Sequence, residues 1–334
     1  MIKKVYEEIG KDYGNIINKL RFYYESIKDI VMPSIKNVWN VYVPTSKSTS
    51  IKYVAVDGGM FMKSIRTGTV YVVNAEALLY TDNKSTPLST FSKVGVFQPG
   101  NLDKERVDTL MEIGELKVAL ESAANSDLLL MDGSIKKKAE NLEEVIQSNQ
   151  PLELIEQLDT LTFNSEKDML IYLLSVKESL LNKLVSSYSN KLLWISKNSK
   201  SRDLVKKYIS DKIEISDVSV LEAFTSEPGY SLPLLSEVVI GDKIYSVVTT
   251  YIRLCKGCKV LRVDIVIDSS KSFNENDIRG ILDSLEPSSV EGYPYPLIKV
   301  HSDVKVNKED RKRILSILGF NTLPSAHWWP RQFL

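Results

Sequence analysis

Near the amino end the apolar positions Ile2, Val5, Ile9, Ile16, Leu20, Tyr23, Ile27 and Val31 recur mostly at intervals of three and four. That period predicts an amphipathic helix or a pair of helices, weakened locally at Gly10 and Gly14. The pattern then changes. Residues 51–57, 66–82 and 91–97 predict three strands, bounded by the breakers DGG, DNKSTP and FQPGN. A helical period covers 103–125, and the short apolar run Asp127-Leu-Leu-Leu-Met131 predicts a strand ending at Asp132-Gly133-Ser134. From 138 to 190 the pattern is helical again, with Leu170, Leu173, Leu174, Leu180, Leu181 and Leu184 in one stripe. KLLWISKNSK predicts a further strand and SRDLVKKYI a short helix. Strand-like alternation runs over 231–268 around turns at Gly241-Asp242 and Lys256-Gly257, and helices are predicted over 274–285 and 307–318.

Three strands, a helix, a strand, a helical insert, a strand and a helix predict a mixed α/β sheet, in the element order of a ribonuclease H-like core. No tandem repeat or low-complexity linker divides the 334 residues, so the chain is read as one unit. Within it, 1–40 forms an N-terminal helical region, 50–135 and 190–305 the core, 138–190 an α-helical insertion, and 306–334 a C-terminal helix with a hydrophobic tail.

Composition narrows the class. Apolar residues at 43% and charged residues at 26% are ordinary for a soluble globular protein. No apolar run reaches the roughly 18 residues of a membrane span, and the start MIKKVYEEIGKDYG places charges where a signal peptide is apolar. A cytoplasmic protein is expected. Lys+Arg and Asp+Glu balance at 43 each, which excludes nucleic-acid binding by bulk charge and requires any such site to be a local patch. Cys255 and Cys258 with His301 and His327 have the residue types of a Cys2His2 zinc set, but not the spacing of a common finger. The simpler reading is a hairpin whose thiols are free or joined in a disulfide.

Two segments share one form, YVAVDGG and LLLMDGS: an apolar strand that ends in Asp-Gly and a small residue. One such segment is ordinarily a turn signal. Two of them, on adjacent strands, would bring Asp57 and Asp132 together at the carboxyl edge of the sheet. Carboxylates held that close repel unless a cation sits between them, and hard oxygen ligands suit Mg2+ or Mn2+. On the helix between, Glu115 has Met111, Val118 and Ala119 as neighbours and projects from an apolar face, whereas Glu112 and Glu121 have polar surroundings and read as solvated. Glu115 is either a third ligand or a rim carboxylate paired with Lys or Arg. Lys136, Lys137 and Lys138 follow Asp132, and Lys197 and Lys200 follow another strand; with Arg66 they are candidates for phosphate contact, against the simpler reading of a solvated face. In GYPYPLIKVHSDVKV, Pro294 and Pro296 predict an extended segment that presents Tyr293, Tyr295 and His301.

Taken together, AVDGG, the Glu of the following helix, LLLMDGS, WISKNSKS, EPGYS and GYPYPLIKVH resemble the NurA family, over nearly the whole chain. The resemblance implies a ribonuclease H-like nuclease that prefers Mn2+, with Mg2+ possible. It implies a homodimer with a central channel, acting with the hexameric ATPase HerA in DNA end resection. Single-strand endonuclease and 5′ to 3′ exonuclease activity come with it. Asp57, Glu115, Asp132 and His301 would then be metal ligands of a two-metal site, and Tyr293 would complete it. Glu112, one turn away, is the alternative helix ligand. One metal would activate a water and the other stabilise the leaving oxygen, while Lys197 neutralises phosphate charge. The tail LPSAHWWPRQFL is expected to dock on the chain's own body or dimer mate, or to meet a partner such as HerA. The rival class is an actin-like or sugar-kinase-type ATPase, whose phosphate loops also follow strand-Asp-Gly-Gly; a scaffold without activity is a third.

Overall fold

One mixed sheet of ten strands carries most of the apolar alternation. The computed structural model describes residues 2–43, 50–65, 68–98, 100–140, 142, 158, 161–267 and 273–319. In chain order, α1 (Ile2–Val38) leads into β1 (Trp39–Val41) and a meander of β2 (Tyr53–Ile65), β3 (Gly68–Thr81) and β4 (Lys84–Phe97). Next come α2 (Asp103–Ser122), β5 (Leu128–Asp132), α3 (Ile135–Ala139), α4 (Glu166–Tyr188) and β6 (Leu192–Ser196). Then α5 (Asp203–Tyr208) and α6 (Asp217–Phe224) precede β7 (Gly229–Ser231), β8 (Leu234–Ile240), β9 (Lys243–Arg253) and β10 (Leu261–Ile267). Last are α7 (Glu275–Leu285), a small hairpin of β11 (Ser289–Val290) and β12 (Tyr293–Pro294), α8 (Tyr295–Val304) and α9 (Lys308–Ile317).

The strand order is β1-β7-β9-β10-β6-β5-β2-β3-β4, with β8 also paired to β9. β5 runs parallel to both β2 and β6, and the other pairs are antiparallel. A central strand covered on both faces needs a continuous apolar run, which is what Leu128-Leu-Leu-Met131 supplies. Val54, Val56, Leu129, Met131 and Trp194 pack towards α2 and α4, while Ala55, Leu130, Leu193 and Ile195 pack towards α7 and α8. The helical segment expected as an insertion is therefore a core layer: Leu173, Val176, Leu180, Leu181 and Leu184 of α4 are buried against α2 and the sheet.

Several expected boundaries move. The amino-terminal pattern forms one helix rather than a pair, 37 residues long with Gly10, Gly14 and Pro33 inside it. Only its last part, Ile27, Val31, Ile35 and Val38, is anchored, against Leu204, Val205, Val218 and Leu221 of α5 and α6. Ile2, Val5, Tyr6, Ile9, Tyr13 and Ile16 stand exposed. The first strand does not stop at Asp57-Gly-Gly. It continues to Ile65, because these residues stay in register with β3: Asp57 opposite Glu76, Gly58 opposite Ala75, Gly59 opposite Asn74. β4 starts at Lys84, not at 91, because Asp82 and Asn83 both take positive φ (50° and 59°) and make a two-residue hairpin. Pro87 is tolerated there since β4 is the edge of the sheet. The segment after Tyr293, expected to be extended, becomes helix α8, with Pro296 in its first turn where a missing N–H costs nothing.

No helix among the described residues is long and apolar enough to cross a membrane. Cys255 and Cys258 form a disulfide across the turn after β9, which removes them as zinc ligands. Its sulfurs pack against Gly292, held at φ +78° immediately before Tyr293. Arg66, His327 and the tail LPSAHWWPRQFL lie outside the described residues.

Candidate active site

Parallel pairing sets the geometry. Val56 of β2 is in register with Met131 of β5, so the next residues, Asp57 and Asp132, emerge side by side at the carboxyl edge. Both share the alternation of Ala55 and Leu130, which faces α7 and α8. His301 of α8 reaches over that face and sets its Nδ1 2.6 Å from Asp57 Oδ2. Asp57, Asp132 and His301 each offer one ligand-capable atom, all within 4.8 Å of one another. The Tyr293 hydroxyl donates to Asp132 Oδ1 at 3.4 Å, and the Lys197 ammonium lies 3.9 Å from the centre of the Tyr293 ring. These five residues, all singled out in the sequence, are brought together.

Burial pushes the Asp57 carboxyl pKa up and the neighbouring Asp132 charge pushes it further, while His301 and the Gly58 N–H pull it part of the way back. The Tyr293 hydroxyl is also driven up, by burial first and then by Asp132 and Asp57, and so stays a proton donor. Two carboxylates in mutual repulsion beside an imidazole fit a divalent cation. It would relieve that repulsion, and the O, O, N donor set suits Mn2+ or Mg2+.

Glu115 comes from the opposite face. α2 packs so close to β2 that a Cβ on Gly58 would stand 2.8 Å from Glu115 Oε1 and 2.9 Å from Met111 Cγ. On the other side, a Cβ on Gly59 would run into the Val304 carbonyl of α8 and the Asn74 amide oxygen. The two glycines serve close approach from both faces, not a tight turn. Gly58→Ala is accordingly expected to lose about 1–3 kcal/mol through overpacking and to push Glu115 away from Asp57. Urea unfolding of the variant checks it, and wild-type stability would refute the close packing.

The Glu115 carboxylate is buried, and its Oε2 meets the Lys138 ammonium at 2.5 Å. Burial drives its pKa up to about 7, against the pull of Lys138 and with a further push from Asp57 and Glu112. Burial also opposes the charge on Lys138, but Glu115 and Glu112 outweigh it and hold that ammonium above its ordinary pKa. Glu112, expected in solvent, instead pairs with Lys138 at 3.2 Å and Lys177 at 2.8 Å. Lys138 is thereby removed from the expected phosphate-tracking row. Lys136 lies 3.7 Å from Asp203, and Lys137 and Lys200 are exposed. Glu121 is exposed as expected and accepts from Ser89 at 2.5 Å.

The sequence reading passed over the support beneath Asp132. Gly133, at φ +102°, donates its N–H to the Ile195 carbonyl at 2.9 Å. Ser134 donates to Asp264 Oδ2 at 2.7 Å, and Asp264 Oδ1 accepts from Thr249 at 2.7 Å and from Arg262 Nε at 2.8 Å. A signal was present in LRVDIV: two opposite charges, two residues apart, on one face of an apolar strand.

Fold and site together define the class: a mixed α/β protein whose parallel strand edge gathers carboxylates, a histidine and a tyrosine. The family model described as the NurA domain matches residues 51–306, and the chain belongs to the NurA family. It is 36% identical to the DNA double-strand break repair nuclease NurA of Sulfurisphaera tokodaii, over 99% of each chain. It is 34% identical to the protein of the same name from Saccharolobus solfataricus, over 100% of each. Among solved structures, the NurA nuclease from Sulfolobus solfataricus superposes with a TM-score of 0.81 at 33% identity, covering 99% of this chain and 100% of that one. A NurA bound to dAMP and manganese has a TM-score of 0.61 at 14% identity, covering 95% and 98%, a likeness of fold alone.

Proposed function

We propose that this chain is a metal-dependent deoxyribonuclease with its site at Asp57, Glu115, Asp132, Tyr293 and His301. The observation that carries this reading is the convergence of Asp57, Asp132 and His301 within 4.8 Å at the strand edge. Membership of a family whose curated relatives are named repair nucleases supports it. Asp57, Asp132 and His301 would hold one cation, and Glu115 would serve it from above Gly58 or share a second. Mn2+ is the proposed ion, in keeping with the manganese-bound NurA, and Mg2+ the alternative.

When bound, the cation supplies Lewis-acid activation of water and neutralises charge on the phosphate. The chain's own groups do the rest. Tyr293, kept protonated, can donate to a phosphate oxygen, and Lys197 over its ring adds a positive charge at the same point. Lys200 would extend that contact along the strand. The order β4-β3-β2-β5-β6, an antiparallel meander followed by parallel pairs, supports a ribonuclease H-like core.

The biological setting follows the family resemblance: a homodimer acting with HerA on single strands endonucleolytically and on DNA ends 5′ to 3′, in resection for recombinational repair. The exposed apolar residues of α1 are a candidate surface for the dimer or for HerA. The actin-like ATPase reading loses its support, because Gly58 and Gly59 lie inside β2 and form no phosphate loop.

The test is cleavage of 5′-labelled and 3′-labelled DNA, single-stranded and duplex, with Mn2+, Mg2+ or chelator. Cleavage with Mn2+ that stops on chelation is expected, with short 5′-end products first. No cleavage with any divalent ion, or undiminished cleavage in chelator, refutes the proposal.

A further inference from the structure

Four charged side chains, Glu115 among them, meet where α2, α3 and α4 close over them. Lys138 of α3, only 8% exposed, sets its ammonium 2.5 Å from Glu115 Oε2 and 3.2 Å from Glu112 Oε1. Lys177 of α4, 4% exposed, holds the other oxygen of Glu112 at 2.8 Å. Two lysines and two glutamates cancel, so this cluster does not attract a phosphate. It is also too deeply buried to touch one.

What the cluster does is fix a direction. A carboxylate has two oxygens on a soft terminal torsion, and nothing intrinsic to the side chain decides where each points. Here Oε2 is held by Lys138, and Oε1 is the atom beside Gly58, next in the chain to Asp57. α3 begins right after the Asp132-Gly133-Ser134 turn, so the same lysine ties the helix carboxylate to the segment that carries Asp132. Glu112 and Lys177 in turn hold Lys138 in place.

We propose that Lys138 is a positioning residue of this centre: by holding one oxygen of Glu115 it aims the other at the cation site beside Asp57. The proposal rests on the reading of Asp57, Asp132 and His301 as that cation site. Residues that hold the ligands of a metal centre in orientation matter nearly as much as the ligands.

The experiment uses the full chain, wild type and Lys138→Met, with Mn2+ binding followed by isothermal titration calorimetry and steady-state cleavage of a single strand in parallel. Lys138→Met is expected to raise the Mn2+ Kd by roughly 10- to 100-fold and to lower kcat, with KM for DNA unchanged. Wild-type Mn2+ affinity with only a lower Tm makes Lys138 an ordinary buried ion pair and overturns the proposal. A raised KM with intact Mn2+ affinity makes it a phosphate contact and also overturns it. Asp57→Asn is the control: wild-type Mn2+ binding there refutes the cation site itself, whereas loss there beside full binding in Lys138→Met refutes the positioning role alone. Should Lys138→Met fail to fold, Glu112→Gln loosens Lys138 without removing it. A smaller rise in Kd is then expected, and an unchanged Kd overturns the proposal.

Discussion

Replacing Asp57 or Asp132 by Asn is expected to cut Mn2+-dependent cleavage of a labelled single strand by at least about 10^3-fold, the rate equivalent of losing several kcal/mol of metal-derived stabilisation. Each substitution removes a charge from the pair that would embrace the ion while keeping the side chain's shape. For Asp57→Asn the same change should favour the metal-free fold. The folded-state pKa of Asp57 lies above its ordinary value of 3.8, by burial first and by Asp132 next. Stability from that group is therefore fully present below the unfolded pKa and is lost as pH rises through the folded one. Asn carries no such penalty, so with chelator present the variant gains on the wild type between acid and neutral pH. Activity within tenfold of wild type in either variant would remove that aspartate from the site, and a variant that instead loses ground as pH rises would contradict the burial of Asp57.

That pairing of lost activity with gained stability would mark a site maintained for chemistry rather than for folding. A buried carboxylate costs free energy, and for Asp57 the surrounding protein offsets only part of it, through His301 and the Gly58 N–H. Glu115 differs in having a lysine ammonium at one oxygen, although burial still outweighs the pull of Lys138 and raises its pKa to about 7. The cluster thus has two unlike parts, a pair of carboxylates that repel each other and a carboxylate held by a lysine.

The acidic pair was legible in the sequence because a parallel sheet turns a repeated strand ending into a spatial pair; YVAVD and LLLMD needed only adjacency to bring Asp57 and Asp132 together. Glu115 was legible from its apolar neighbours on the helix. What stands around them was not. Apolar spacing shows that a helix buries one face, but not which charges share the burial, so Glu112 and Lys138 read as surface residues. Asp-Gly-Gly read as a stop because glycine is usually punctuation; here the approach of α2 and α8 to β2, a tertiary fact, sets the need for Gly58 and Gly59. The helix of His301 was hidden by Pro294 and Pro296, which suit an extended segment and a helix start equally well.

The largest effect on stability is expected at Asp264, outside the cluster of Asp57, Asp132 and His301. It is wholly buried on β10, and its three donors, Arg262, Thr249 and Ser134, come from β10 itself, from β9 and from the turn after Asp132. Burial opposes the Arg262 charge, yet Asp264 more than offsets this and holds the guanidinium above its ordinary pKa. Asp264→Ala leaves that cation in the sheet without its carboxylate, a loss of about 3–5 kcal/mol, which urea unfolding will read as a marked fall in midpoint. A variant that relieves the charge, Arg262→Met with Thr249→Val and Asp264→Leu, should recover most of that stability, because a well-packed apolar set commonly replaces a buried ion pair at little cost. It should not recover cleavage, since Ser134 has lost its acceptor and the turn that aims Asp132 is released. If the apolar variant instead cleaves DNA at the wild-type rate, Asp264 belongs to the core alone and the Gly133 N–H to Ile195 carbonyl bond suffices to place Asp132.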